Sequence, residues 1–258
     1  MKVRMLATLL VAAWAAGCAI DLVVPAGGAA GPPPADVANA AWARVLSRHV
    51  DAEGRIDFAG VAREPADLDA FVAYVATVSP RLKPAEFSTR GSAIAWYINA
   101  YNALAMYDVI QSGMPPDLDE VKVRFFYRNR LLVGGQRISL YDLENKVIRP
   151  LGEPRVHFAL NCMARGCPRL PREPFRTDEL GRQLEAAASE FLNEKRNVDL
   201  EAEKRIAYVS MILNWYEPDF LKTASSLAAY INRYRITAPI PAGWEIRFIP
   251  YDWTLNAQ

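Results

Sequence analysis

The chain has 258 residues, 52% of them hydrophobic, with 30 Lys and Arg against 29 Asp and Glu. That length can bury a substantial core, and near-neutrality removes the electrostatic reason to expect nucleic acid as a partner. Neither a phosphate-cradling glycine loop nor a basic aromatic patch occurs, which disfavours nucleotides as well.

The first residues bear on compartment. Lys2 and Arg4 precede an apolar run from Met5 to Trp14, and Ala15-Ala-Gly17 leads into Cys18. The run is too short to span a bilayer and reads as an export signal over 1–17. A cysteine directly after Ala-Gly predicts a bacterial lipoprotein signal, with lipidation at Cys18 as the membrane attachment. Ala19 after it favours the outer membrane, so the expected location is the periplasmic side of the cell envelope. Residues 18–35, rich in Gly, Ala and Pro, read as a lipid-anchored flexible tether, leaving 36–258 as one globular domain.

Along that domain the spacing predicts helices over 35–49 and 67–78, with a short strand between them at 55–58. Ser92 to Gln111 is the longest helix, apolar around nearly its whole circumference, with only an arc at Ala100, Leu104, Asp108 and Gln111 expected to face solvent. Asn99 and Asn102 fall in its apolar arc, so their amides need partners inside the protein, either a neighbouring loop or a ligand. Residues 130–138 read as a hairpin around Gly134-Gly135. Ser139 then caps a short helix whose apolar stripe, Leu140, Leu143, Val147 and Ile148, is interrupted by Glu144. A carboxylate facing a core needs a cation, several donors or a proton; Arg149 and Arg155 are the candidate cations.

Arg155 to Asn161 reads as a strand, followed by a helical turn over Met163–Gly166. A regular strand would put His157 and Cys162 on opposite faces, about 16 Å apart at about 3.3 Å per residue. They meet only if the strand ends or bulges near Asn161. A thiol at the start of the following turn, near Arg165, would ionise more readily than a free one. Cys162 and Cys167 could equally form a small disulfide, since a compact turn can bring them together. Further on, the pattern predicts a helix over 177–193, a hairpin over 198–209, an aromatic loop over 214–220, a helix over 225–234 and a strand from Glu245. With no internal repeat, the fold class is a single α+β domain, a central buried helix packed on a small, mainly antiparallel sheet.

Trp96-Tyr-Ile-Asn-Ala-Tyr-Asn-Ala-Leu104, Ile138-Ser-Leu-Tyr-Asp-Leu-Glu-Asn-Lys-Val-Ile-Arg149 and His157-Phe-Ala-Leu-Asn-Cys-Met-Ala-Arg-Gly-Cys-Pro168 resemble the bacterial branch of the domain of unknown function 547 family. Asn214-Trp-Tyr, Asp219-Phe220 and Tyr251-Asp-Trp-Thr-Leu-Asn256 fit the same pattern, in the same order. The resemblance implies a polar signature at Asn99, Asn102, Glu144, His157 and Cys162, with Cys162 the more reactive thiol, on a fold similar to cysteine peptidases and transglutaminases. Asn145 stands where relatives often carry histidine.

The expected function is therefore a thiol-centred envelope enzyme. Cys162 is its nucleophile in acyl transfer or amide hydrolysis, His157 the base, Glu144 its orienting group, and Asn102 or Asn99 an amide donor. A small peptide or a γ-glutamyl thiol is the expected ligand. The alternative is a non-catalytic periplasmic binding module with a Cys162–Cys167 disulfide. Cys162, Cys167, His157 and Glu144 are also ligand types that suit zinc, but their spacing is a weak signal, and no metal or cofactor is expected.

Overall fold

A computed structural model describes residues 19–25 and 31–258, so the signal over 1–17 and Cys18 lie outside the described residues. Three helices open the domain: α1 (Ala35–His49), α2 (Phe58–Arg63) and α3 (Ala66–Thr77). The strand expected at 55–58 is reduced to single bridges from Ile56 to Val50 and Ala257, because Asp57 accepts the Gly60 N–H and starts α2 instead.

α4 (Arg90–Gln111) is the axis of the fold. Thr89 begins it: its hydroxyl accepts the Ser92 N–H while Ser92 Oγ accepts the Thr89 N–H, a reciprocal cap. The solvent-facing arc expected on α4 is absent except at Gln111; Ala100, Leu104 and Asp108 are fully buried. Their cover comes from segments distant in sequence. Asn129, at the start of β2 (Asn129–Val133), donates its side-chain amide to Asp108 at 2.6 Å. Where described, the expected tether is also docked here. β1 (Ile20–Asp21) runs parallel to β2, Leu22 donates its N–H to Arg130, and Tyr107 on α4 donates its hydroxyl to the Val23 carbonyl at 2.5 Å.

β2 turns through Gly134-Gly135 into β3 (Gln136–Ile138), the hairpin expected from sequence, and Ser139 caps α5 (Leu140–Asp142) by accepting the Asp142 N–H. A wide π-turn follows over Leu143–Ile148. The region expected as a strand, 155–161, is instead a 3-10 helix over Pro154–Phe158 running into irregular chain. Pro154 supplies a preset φ in its first turn and the Glu153 carboxylate accepts the Arg155 N–H, so both ends of local chemistry favour a turn over extension.

α6 (Leu180–Asn193) leads to a second sheet, in which β4 (Val198–Glu201) pairs antiparallel with β5 (Ile206–Ser210), and β5 pairs parallel with β6 (Glu245–Ile249). The aromatic loop expected at 214–220 is two short helices, α7 (Met211–Trp215) and α8 (Glu217–Phe220); α9 (Leu227–Asn232) follows. The α+β class holds, with two three-stranded sheets in place of one, each with one parallel and one antiparallel pair.

The apolar interior divides in two. One core gathers around α4, the other around Phe191, Val209, Leu213, Phe220 and Tyr230. The 154–162 segment runs along their seam: Val156 and Leu160 enter the first core and Phe158 the second. His157 lies between them.

Candidate active site

A cavity of about 500 Å³ opens at this seam, and Glu144, His157, Cys162 and Cys167 all line it. Tyr101 and Tyr216 line the same cavity, and Trp215, Tyr251 and Trp253 form an aromatic cluster on it. Two chemically distinct poles share the wall.

The first is built on His157, which is 3% exposed. Its Nε2 lies 3.0 Å from Asp219 Oδ2 and its Nδ1 3.9 Å from Glu144 Oε1. The ring stacks on Tyr216 at 3.8 Å between centroids and meets Phe220 in an edge-to-face contact at 5.5 Å. Asp219, on α8, also accepts from Arg149 Nε at 2.7 Å and Lys222 Nζ at 2.8 Å. These donors, His157 foremost, hold its carboxyl well below the usual carboxylate range. Glu144 behaves oppositely. Burial pushes its ionisation up, only partly offset by His157, Tyr216, Arg149 and Tyr101, whose hydroxyl lies 3.4 Å away. Neither candidate arginine forms an ion pair with it: Arg149 is committed to Asp219 and Asn145, and Arg155 to Glu153 and Glu185. The π-turn carries Glu144 on the inner wall, and the Arg149 N–H closes onto its carbonyl.

The second pole is the thiol pair. Cys162 and Cys167 are both reduced, with their sulfurs 2.9 Å apart. Cys167 Sγ also accepts the Cys162 N–H at 3.1 Å and the Tyr251 hydroxyl at 3.1 Å. Burial works against ionisation of Cys167, but the hydrogen bonds from Cys162, Tyr251 and the backbone outweigh it and bring its thiol below the ordinary range. Cys162 is pushed well above that range, first by its hydrogen bond to Cys167 and then by burial. The hydrogen bonds from the Cys162 side chain, the Tyr251 hydroxyl and the Cys162 N–H favour ionisation at Cys167.

That loop is stitched from three directions. The helical turn expected over 163–166 is a single reverse turn, Cys167 N–H to the Ala164 carbonyl. Met163 has φ of 73°, a left-handed conformation that costs a non-glycine residue about 1–2 kcal/mol. The Asn161 side chain stabilises it by accepting the Met163 N–H and donating to the Pro168 carbonyl. From outside, Arg165 and Gly166 donate N–H groups to the carbonyls of Thr254 and Asp252. A Cβ on Gly166 would lie 2.8 Å from the Tyr251 ring, so only glycine lets the tyrosine lie this close to the thiols.

Asn99 and Asn102 do not line the cavity. Asn99 accepts from Trp42 and Phe175 and donates to the Phe175 carbonyl; Asn102 donates to Ala159 and accepts the Asn161 N–H at 2.8 Å. Both brace chain against α4, Asn102 directly beneath the thiol loop. Among the described residues no hydrogen bond joins His157 to either sulfur, and both imidazole nitrogens face carboxylates. Nor is any group of three or more His, Cys, Asp or Glu among the described residues placed to hold a metal ion. Sequence reasoning had not singled out Asp219, Tyr216, Tyr251, Tyr101 and Asn161. For the first three, the signal was their place in the motifs at 214–220 and 251–256.

Residues 84–192 match the model of a family described as protein of unknown function, DUF547. The matched stretch is less than half of the chain. It holds Glu144, His157, Cys162 and Cys167, whereas Tyr216, Asp219 and Tyr251 lie beyond it, so the matched stretch supplies the thiols and one carboxyl while later chain completes the cavity. No curated protein and no solved structure matches the chain.

Proposed function

We propose that the cavity is a thiol-dependent active site for acyl transfer or amide hydrolysis on a small peptide or γ-glutamyl thiol substrate. The observation that carries the reading is that a sulfur held by several donors and a buried carboxyl line the same cavity. Hydrogen bonds from the Cys162 N–H and the Tyr251 hydroxyl favour the Cys167 thiolate, so the nucleophile is Cys167. Its sulfur attacks the substrate carbonyl to form a thioester, and the carboxylic acid of Glu144 gives its proton to the departing amine. Water or an acceptor thiol then attacks the thioester, returning its proton to the Glu144 carboxylate and freeing the sulfur. His157 is a positioning residue in this scheme: bridging Glu144 and Asp219, it tunes the acid. A thiol-directed acylating probe should label Cys167, labelling should be lost in Cys167→Ser, and Glu144→Gln should slow deacylation. Undiminished labelling of Cys167→Ser would overturn the assignment.

An envelope location follows from the export signal and the cysteine after Ala-Gly, making this a bacterial lipoprotein held by lipid at Cys18. Fatty-acid labelling of the expressed chain, lost in Cys18→Ser, is the expected result.

A further inference from the structure

We propose that Cys162 and Cys167 form a redox-active dithiol that reduces small organic disulfides entering the cavity, a second activity of the same wall. It stands apart from the acyl-transfer reading, which needs one sulfur, whereas this one needs two.

Three observations carry it. The sulfurs are already in contact at 2.9 Å with no group between them, so closing a bond of about 2.05 Å needs only a small movement. The pair is asymmetric: Cys167 Sγ is the acceptor of the Cys162 N–H and the Tyr251 hydroxyl, the arrangement required of an attacking sulfur with a resolving thiol beside it. Both cysteines border a cavity large enough for a small ligand, which a purely structural buried pair would not require.

The chemistry balances with the disulfide as oxidant. Cys167 thiolate attacks one sulfur of RS–SR, the S–S bond breaks, RS⁻ leaves and a Cys167–SR mixed disulfide forms. The Cys162 sulfur then attacks Cys167 Sγ, the Cys167–SR bond breaks, and the Cys162 proton leaves with the second RSH. Two electrons pass from the dithiol to the ligand; excess thiol runs the sequence backwards.

Oxidised glutathione is a suitable probe, added to the reduced full chain, with adducts located by peptide mapping so that Cys18 is scored separately. The wild-type protein should end two hydrogen atoms lighter, with a Cys162–Cys167 bridge and no lasting adduct. Cys162→Ser should accumulate a glutathione adduct on Cys167, and Cys167→Ser should react at Cys162 at least tenfold more slowly. A lasting adduct on the wild type would overturn the proposal, as would equal reactivity of the two variants. So would a native pair that stays reduced while the denatured chain, run alongside, reacts.

Discussion

Removing the Tyr251 hydroxyl tests the electrostatics of the thiol pair most directly. Tyr251 donates to Cys167 Sγ at 3.1 Å from a ring that Gly166 admits to the loop, and Tyr251→Phe keeps the ring and deletes only the donor. A hydrogen bond to a charged acceptor contributes about 1.5–3 kcal/mol. At about 1.4 kcal/mol per tenfold, its loss lowers the ionisation constant of Cys167 by roughly ten- to a hundredfold. The thiolate absorbance of the reduced protein, followed against pH, should therefore rise at distinctly higher pH in the variant. Gly166→Ala should move the curve the same way by a different route, since its Cβ would sit 2.8 Å from the ring and displace the hydroxyl. A Tyr251→Phe curve that coincides with wild type, or moves to lower pH, would refute the reasoning.

Three further outcomes follow from the buried polar groups. Asn102→Ala strands the Ala159 carbonyl and the Asn161 N–H inside the protein, at about 1–3 kcal/mol each, so urea unfolding should show a lower midpoint with an unchanged slope. Asp219 is more acidic folded than unfolded, so its stabilisation is present above the unfolded carboxylate pKa of about 3.9 and lost as pH falls below it. The melting-temperature gap between wild type and Asp219→Asn should accordingly narrow on acidification, and a constant gap would count against the ion-pair cluster. Asp108 is the reverse case: burial, opposed by the Asn129 and Ser112 hydrogen bonds, raises its pKa to about 7. Its contribution is complete below about pH 4 and lost as pH rises through 7, so wild type should lose stability relative to Asp108→Asn over that range.

What the sequence disclosed was mostly local. The hairpin at Gly134-Gly135 and the Ser139 cap rest on signals confined to a few residues and formed as read, while α6 starts three residues later than the expected 177. Glu144 was legible as a carboxyl inside an apolar stripe, and it is buried at 6% exposure. The failures arose where distant chain decides. Five residues from Pro154 are too few for periodicity to separate strand from 3-10 turn, and the proline and Glu153 cap were the deciding cues. Nothing within α4 reveals that β2 and residues 20–23 cover its polar arc. Asn99 and Asn102 were rightly read as needing partners, but the backbone groups that satisfy them lie more than fifty residues away. Asp219 and Tyr251 likewise meet His157 and Cys167 across 62 and 84 residues, pairings that no local pattern specifies.

The stitching by residues 251–258 bears on how the cavity is closed. Trp253 and Asn256 bond to Leu118 and Met163, and Gln258 reaches back to His49 and Ile56, so the final eight residues fasten regions made much earlier. Without them the sulfur pair loses the Tyr251 hydroxyl and the cavity loses the part of its lining that Tyr251 and Trp253 supply. Removing residues 251–258 would therefore disturb a thiol pair that lies more than eighty residues away in sequence.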